Sequence, residues 1–121
     1  MHRSRLGEIT IDCLTDDLEE AANFWARVLG YRPKAHEDHF HLIAPPDEVQ
    51  INVQQVKHEP RVHIDLETDD IEAEVARLTA LGAERERKGR RWVVMRTPTG
   101  HGICVCRPAR SDFEENANQW P

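Results

Sequence analysis

Apolar and polar residues alternate from Glu8 to Leu14, with Ile9, Ile11 and Cys13 on one side and Thr10, Asp12 and Leu14 on the other. A period of two predicts a half-buried strand. Leu18, Ala21, Ala22, Trp25, Val28 and Leu29 then recur at helical spacing and predict an amphipathic helix that Gly30 ends. Thr15 or Asp16 is placed to cap its first amides, and Asp17, Glu19 and Glu20 complement the positive end of its dipole. Three extended pieces follow: Tyr31 to Ala35, His39 to Ala44 and Val49 to Val56. Turn-forming His36-Glu37-Asp38 and Pro45-Pro46-Asp47-Glu48 separate them.

The same order then returns. Val62, Ile64 and Leu66 alternate against His63, Asp65 and Glu67 in a strand from Arg61 to Glu67. Thr68 or Asp69 caps a helix with the stripe Ile71, Val75, Leu78 and Leu81, stopped by Gly82. A hairpin, Ala83 to Arg87 and Arg91 to Arg96, precedes the turn Thr97-Pro98-Thr99-Gly100 and a last strand from Gly102 to Arg107. Laid on each other, the two copies match at Ile-Asp, at Thr-Asp-Asp and at the closing Leu-Gly. The pattern predicts one domain of two modules: about 6–56 and about 61–107, joined by a linker at 57–60 and followed by a polar tail at 108–121. Phe113 and Trp120 are the tail's apolar anchors.

Alternation also assigns faces. A one-sided sheet turns its aliphatic residues toward the helices. Thr10 and Asp12 in one copy, and His63 and Asp65 in the other, are left on the far face. The closing strands align as Ile51-Asn52-Val53 over Ile103-Cys104-Val105, which adds Asn52 and Cys104 to that face. Carboxylates, an imidazole and a thiol on an inward-curving sheet call for ligands, partners or water.

Composition narrows the classes of function. The 121 residues carry a formal net charge of −6 and a pI near 5.6, against a protein built to grip nucleic acid or an anionic membrane. No apolar run is long enough to span a membrane, and Met1-His2-Arg3-Ser4-Arg5 leads into no signal-peptide core, so a cytoplasmic setting is expected. Cys13, Cys104 and Cys106 are too few, and wrongly spaced, for a disulfide framework or a zinc finger.

His63 is the leading site candidate, as a metal ligand or as a proton donor and acceptor; the structural alternative is a strand histidine bonded to Asp12 or Asp65. Asp12 and Asp65 read either as a general acid–base pair, one pKa raised by the other's charge, or as structural acceptors. Cys104 reads as a nucleophile if a basic group lowers its pKa, and otherwise as a small buried hydrophobe. Trp92 lines a ligand pocket or simply packs, and His101 lies in the turn before the last strand. His39-x-His41 puts two imidazoles on one side of a hairpin strand. Arg85, Arg87, Lys88, Arg90 and Arg91 are interspersed with Glu84 and Glu86, which reads as a solvated hairpin.

Asp-Asp-Leu…Asn23-Phe24-Trp25…Leu29-Gly30-Tyr31, Ile11-Asp12-Cys13, Arg61-Val62-His63-Ile64-Asp65-Leu66 and Thr97-Pro98-Thr99-Gly100-His101 resemble the vicinal oxygen chelate superfamily, and within it the glyoxalase-like domain proteins. The resemblance runs from Leu6 to about Arg107 and implies an α+β fold. Two pseudo-symmetric βαβββ modules with curved mixed sheets would enclose a concave pocket for a small molecule, in a homodimer. The superfamily's metal-ligand positions fall on Thr10, Asn52, His63 and Cys104, of which His63 alone keeps the usual residue type. The resemblance admits zinc, nickel, iron or manganese; the incomplete set favours no bound metal. Three functions follow from it. The first is binding, with or without transformation, of a small organic metabolite without the full ligand set. The second is a metal-dependent lyase or dioxygenase using His63 with Asp12, Asp65 or Cys104. The third is sequestration of an antibiotic-like ligand.

Overall fold

A computed structural model describes residues 1–121 and holds nine strands and three helices in a mixed α+β arrangement. The chain divides into two compact units, Glu8–His63 and Met1–Gly7 with Ile64–Pro121. Strands β1 (His2–Leu14) and β5 (Arg61–Thr68) each run from one unit into the other.

In the Glu8–His63 unit, the second half of β1 pairs in parallel with β4 (Gln50–Val56). β4 pairs antiparallel with β3 (Phe40–Ile43), and β3 with β2 (Arg32–Ala35). Helix α1 (Leu18–Leu29) packs on β2, β3 and β4. Its stripe holds for Leu18, Ala21, Ala22 and Trp25, while Val28 and Leu29 are exposed and Ala26 is buried in their place: Ala22 and Ala26 join Leu42 and Val53 in a core that Cys13, Leu18, Trp25 and Ile51 flank. Gly30 ends α1 in the left-handed region, φ 76°, which costs a residue with a Cβ far more.

The other unit repeats the plan. β5 pairs in parallel with β8 (Gly102–Cys106); β8 pairs antiparallel with β7 (Trp92–Arg96), and β7 with β6 (Glu84–Lys88). Helix α2 (Ile71–Ala80) covers β6, β7 and β8, and Val75 and Leu78 meet Val93, Met95 and Val105 in a second core.

Three expectations change. The helix caps are Asp17 and Asp70, whose carboxylates accept from Glu20 N and Ala73 N at 3.0 Å, not the residues before them. Thr15 and Thr68 serve the turn one step earlier, their hydroxyls accepting from Asp17 N and Asp70 N. Strand β1 begins at His2 rather than Glu8. Its early part belongs to the second unit, where His2, Arg3 and Ser4 pair antiparallel with β9 (Asn118–Trp120). The tail is therefore built in: α3 (Phe113–Asn116) buries Phe113 to 4% exposure, and Trp120 Nε1 donates to Ser4 Oγ at 2.8 Å.

Candidate functional site

Strand register places the predicted residues. In the Glu8–His63 unit, Thr10 lies beside Asn52, Asn52 beside His41, and Asp12 beside Gln54. These side chains occupy the face opposite the α1 core, as alternation requires. Thr10 and Asp12 are buried, at 4% and 2% exposure.

The centre of this face is Asp12. Gln54 Nε2 donates to Asp12 Oδ1 at 2.6 Å, and His63 Nε2 stands 3.4 Å from that same oxygen. Gln54 Nε2 and His63 Nε2 are 3.4 Å apart. On the other carboxylate oxygen, Arg61 Nε sits 3.5 Å from Oδ2, and Arg61 Nη2 reaches His58 Nε2 at 3.2 Å. Burial alone would raise the Asp12 pKa, but the hydrogen bonds from His63 and Gln54 and the charges of His63 and His58 outweigh it and hold the carboxyl below its ordinary value. Within its own unit Asp12 is met by donors and cations.

The chemistry open to this arrangement lies at the His63 imidazole. With Nε2 unprotonated, its lone pair can meet the Gln54 amide; with Nε2 protonated, its N–H faces the Asp12 carboxylate. One nitrogen thus has a partner in each protonation state. The contacts near 3.4 Å are long enough to let the ring move, and catalytic hydrogen bonds commonly tighten only on binding.

In the other unit, Asp65 (8% exposed) lies beside Cys104, and Cys104 beside Val94, on the face opposite the α2 core. Trp92 lies on the same face beside Cys106, with its ring against Gly89 and 42% of its surface exposed. His101 is held in its own turn: Nδ1 is 2.9 Å from Thr99 Oγ1, and its backbone N–H donates to Thr97 Oγ1 at 3.0 Å.

Gln54 and Arg61 were not among the sequence candidates, although alternation could have found both. Gln54 follows Asn52 by two and pairs with Asp12; Arg61 precedes His63 by two. Two surface depressions border α1, one of them lined by Asp17, Glu19, Glu20, Asn23, Phe24 and Arg27, and neither includes a candidate residue.

The superfamily's metal positions do not fit a metal here. In the Glu8–His63 unit they supply a buried threonine, an asparagine and one imidazole. The Asn52 amide nitrogen donates to Glu8 Oε2 at 2.7 Å, and His63 Nε2 is engaged between Asp12 and Gln54. Threonine and asparagine oxygens are weak donors for a transition metal, which wants about three strong ones. As the side chains stand, no three His, Cys, Asp or Glu residues of the chain group into a metal site.

Two β-α-β-β-β units, each with a helix against one side of its sheet and polar residues on the other, define a duplicated α+β domain. Residues 8–106 match the glyoxalase-like domain family, and the chain belongs to that family. Among solved structures it is similar to an Mn(II)-bound glyoxalase from Novosphingobium aromaticivorans, with TM-score 0.61 and 16% identity over 92% of this chain and 43% of that one. A variant of homoprotocatechuate 2,3-dioxygenase from B. fuscum aligns with TM-score 0.62 and 14% identity over 88% of this chain and 32% of that one. A glyoxalase/bleomycin resistance protein/dioxygenase superfamily member from Vibrio splendidus 12B01 aligns with TM-score 0.53 and 16% identity over 84% and 98% of the two chains. The chain thus spans less than half of the first two proteins. At these identities the likeness is one of fold. No functionally curated protein matches the sequence. No helix is long and apolar enough to cross a membrane.

Proposed function

We propose that this glyoxalase-like protein binds a small organic metabolite on the polar face of the Glu8–His63 unit and moves a proton on it through His63. His63 is the proton-carrying residue, Asp12, against its Nε2, is the carboxylate that orients the imidazole and stabilises its charged form, and Gln54 holds Asp12 in place. The observation that carries the reading is the shared Asp12 oxygen, 2.6 Å from the Gln54 amide and 3.4 Å from His63 Nε2. Its Arg61 contact favours a ligand with a carbonyl or carboxylate, since the guanidinium is half-exposed and has donors to spare. The family's metal is given no part, because the donor set at its positions does not suit one. The family's homodimer belongs to the same proposal, as does the metabolite's small size.

The product need not be known for a test. Proton abstraction beside a carbonyl exchanges that hydrogen for deuterium in heavy water, which NMR follows directly. Across a panel of enolisable dicarbonyl and aromatic keto compounds, the chain is expected to catalyse exchange with at least one. His63→Ala is expected to slow it by about 100-fold or more, the usual share of a general base. Tight binding with no exchange across the panel would instead make the chain a sequestering protein.

A further inference from the structure

Helix α1 leaves two large apolar side chains outside its core. Phe24 and Val28, one turn apart, are 59% and 55% exposed. The Phe24 ring stands edge-on to Trp25, centroids 5.3 Å apart and planes at 86°, and it lies in the depression that Asp17, Glu19 and Glu20 border. Four of the five residues from Asp16 to Glu20 are carboxylates, all exposed. The β6–β7 hairpin has the opposite character. Four of the five residues from Arg87 to Arg91 are cations, also exposed. Arg85 and Arg96 are paired with Glu72 and Glu86 at 2.9 and 2.7 Å, whereas Arg87, Lys88, Arg90 and Arg91 enter no ion pair. We infer that the chain associates with a second copy of itself through these surfaces, the β6–β7 hairpin of one copy seated on the α1 face of the other.

Residue type is the first argument. Phe24 on the helix, and Trp92 with its arginines on the hairpin, are the kinds of side chain that carry binding energy at protein interfaces. The second argument is that the hairpin anchor is already in place. At its tip the Gly89 N–H donates to the Trp92 carbonyl at 2.9 Å, and the indole lies against Gly89, where a Cβ would collide with it. The ring still keeps 42% of its surface exposed. A side chain fixed before binding loses little freedom on binding. The third argument is charge. An aromatic ring bordered by carboxylates faces, on the same chain, an aromatic ring bordered by cations, so two copies attract where two like surfaces would repel.

The charges of the wrong sign are few. Arg27 stands in the last turn of α1, beyond the carboxylates, and Glu86 of the hairpin is taken up by Arg96. A contact between unlike surfaces closes when it is made twice about a two-fold axis, each copy giving one helix and one hairpin. The inference rests on the homodimer proposed above and adds the surfaces that hold it.

The test is sedimentation of the full chain across a concentration series. A dimer is expected, with affinity falling about tenfold as salt rises from about 50 to about 500 mM, because exposed charges are screened. Phe24→Ala and Trp92→Ala are each expected to weaken it about tenfold or more, as truncation of an interface anchor does. Two triple variants reverse the charges. Asp16→Lys, Glu19→Lys and Glu20→Lys together make both surfaces basic; Lys88→Glu, Arg90→Glu and Arg91→Glu together make both acidic. Each triple variant alone is expected to be monomeric where the unaltered chain is dimeric, and their equimolar mixture is expected to form the dimer again. That recovery requires both variants to be folded. A chain that is monomeric at every concentration would overturn the inference and the homodimer together. A dimer indifferent to these changes, or folded triple variants whose mixture stays monomeric, would overturn the inference alone.

Discussion

Both units bury carboxylates, and they hold them differently. In the unit that closes the chain, Glu74 is fully buried and accepts from Arg77 Nε and Nη2 at 2.8 Å each, with His2 Nε2 also at 2.8 Å. Trp120 covers Arg77, the guanidinium carbon 3.9 Å from a ring centroid. Glu67, equally buried, takes Arg5 Nε and the Ala109 N–H at 2.9 Å. Asp12, in the Glu8–His63 unit, has one short bond, from a neutral amide, while its imidazole and guanidinium partners stand at 3.4 and 3.5 Å. A buried charge with short bonds on both oxygens, at least one of them ionic, is spent on structure, because removing a partner strands the other. One with a single tight neutral bond and loose cations retains capacity for a ligand or a moving proton.

The contrast can be broken from the structural side first. Glu74→Ala leaves Arg77 and His2 without their acceptor and is expected to lower unfolding free energy by about 3 kcal/mol, the low end for breaking a buried pair, in a urea titration. The same carboxylate makes a pH prediction. Burial would raise the Glu74 pKa, but Arg77, His2 and Ser4 bring it down to about 2 from the ordinary 4.5. A depressed carboxyl adds stability above its unfolded pKa and loses it as pH falls toward its folded one. Thermal midpoints should therefore drop between pH 4.5 and about 2, and Glu74→Gln should flatten that limb.

Gly7→Ala is the next smaller effect. A Cβ there would land on Cγ and Cδ of Glu67, whose ion pair with Arg5 fixes its place, so overpacking of about 1–3 kcal/mol is expected by chemical denaturation. Smallest and most symmetric are the helix caps. Asp17→Ala and Asp70→Ala each remove one bond of 3.0 Å to a first-turn amide. Each should cost about 1 kcal/mol, and unequal costs would show that the repeated cap is used differently in the two units.

What the sequence made legible follows the same division. The duplicated strand and helix were readable because apolar alternation and the Thr-Asp-Asp signal recur in both copies. The first strand's early residues were not. His2, Ser4 and Arg5 are buried by ion pairs and by β9, and polar residues buried that way leave no apolar pattern to read. The caps were placed one or two residues early because threonine can cap too; here Thr15 and Thr68 are occupied in the preceding turn. The faces of Asp12 and His63 were readable from alternation. That Gln54 lies against Asp12 depends on register between β1 and β4. So does the downward direction of the Asp12 shift.

The most direct test sets Asp12→Asn beside Glu74→Gln, since each exchange keeps side-chain shape and removes only charge. Deuterium exchange into a responsive keto compound and the thermal midpoint are measured on both. The account predicts that Asp12→Asn slows exchange by about tenfold or more at a nearly unchanged midpoint, and that Glu74→Gln lowers the midpoint while exchange on the folded protein persists. An Asp12→Asn chain that melts early yet exchanges at the unaltered rate would contradict it.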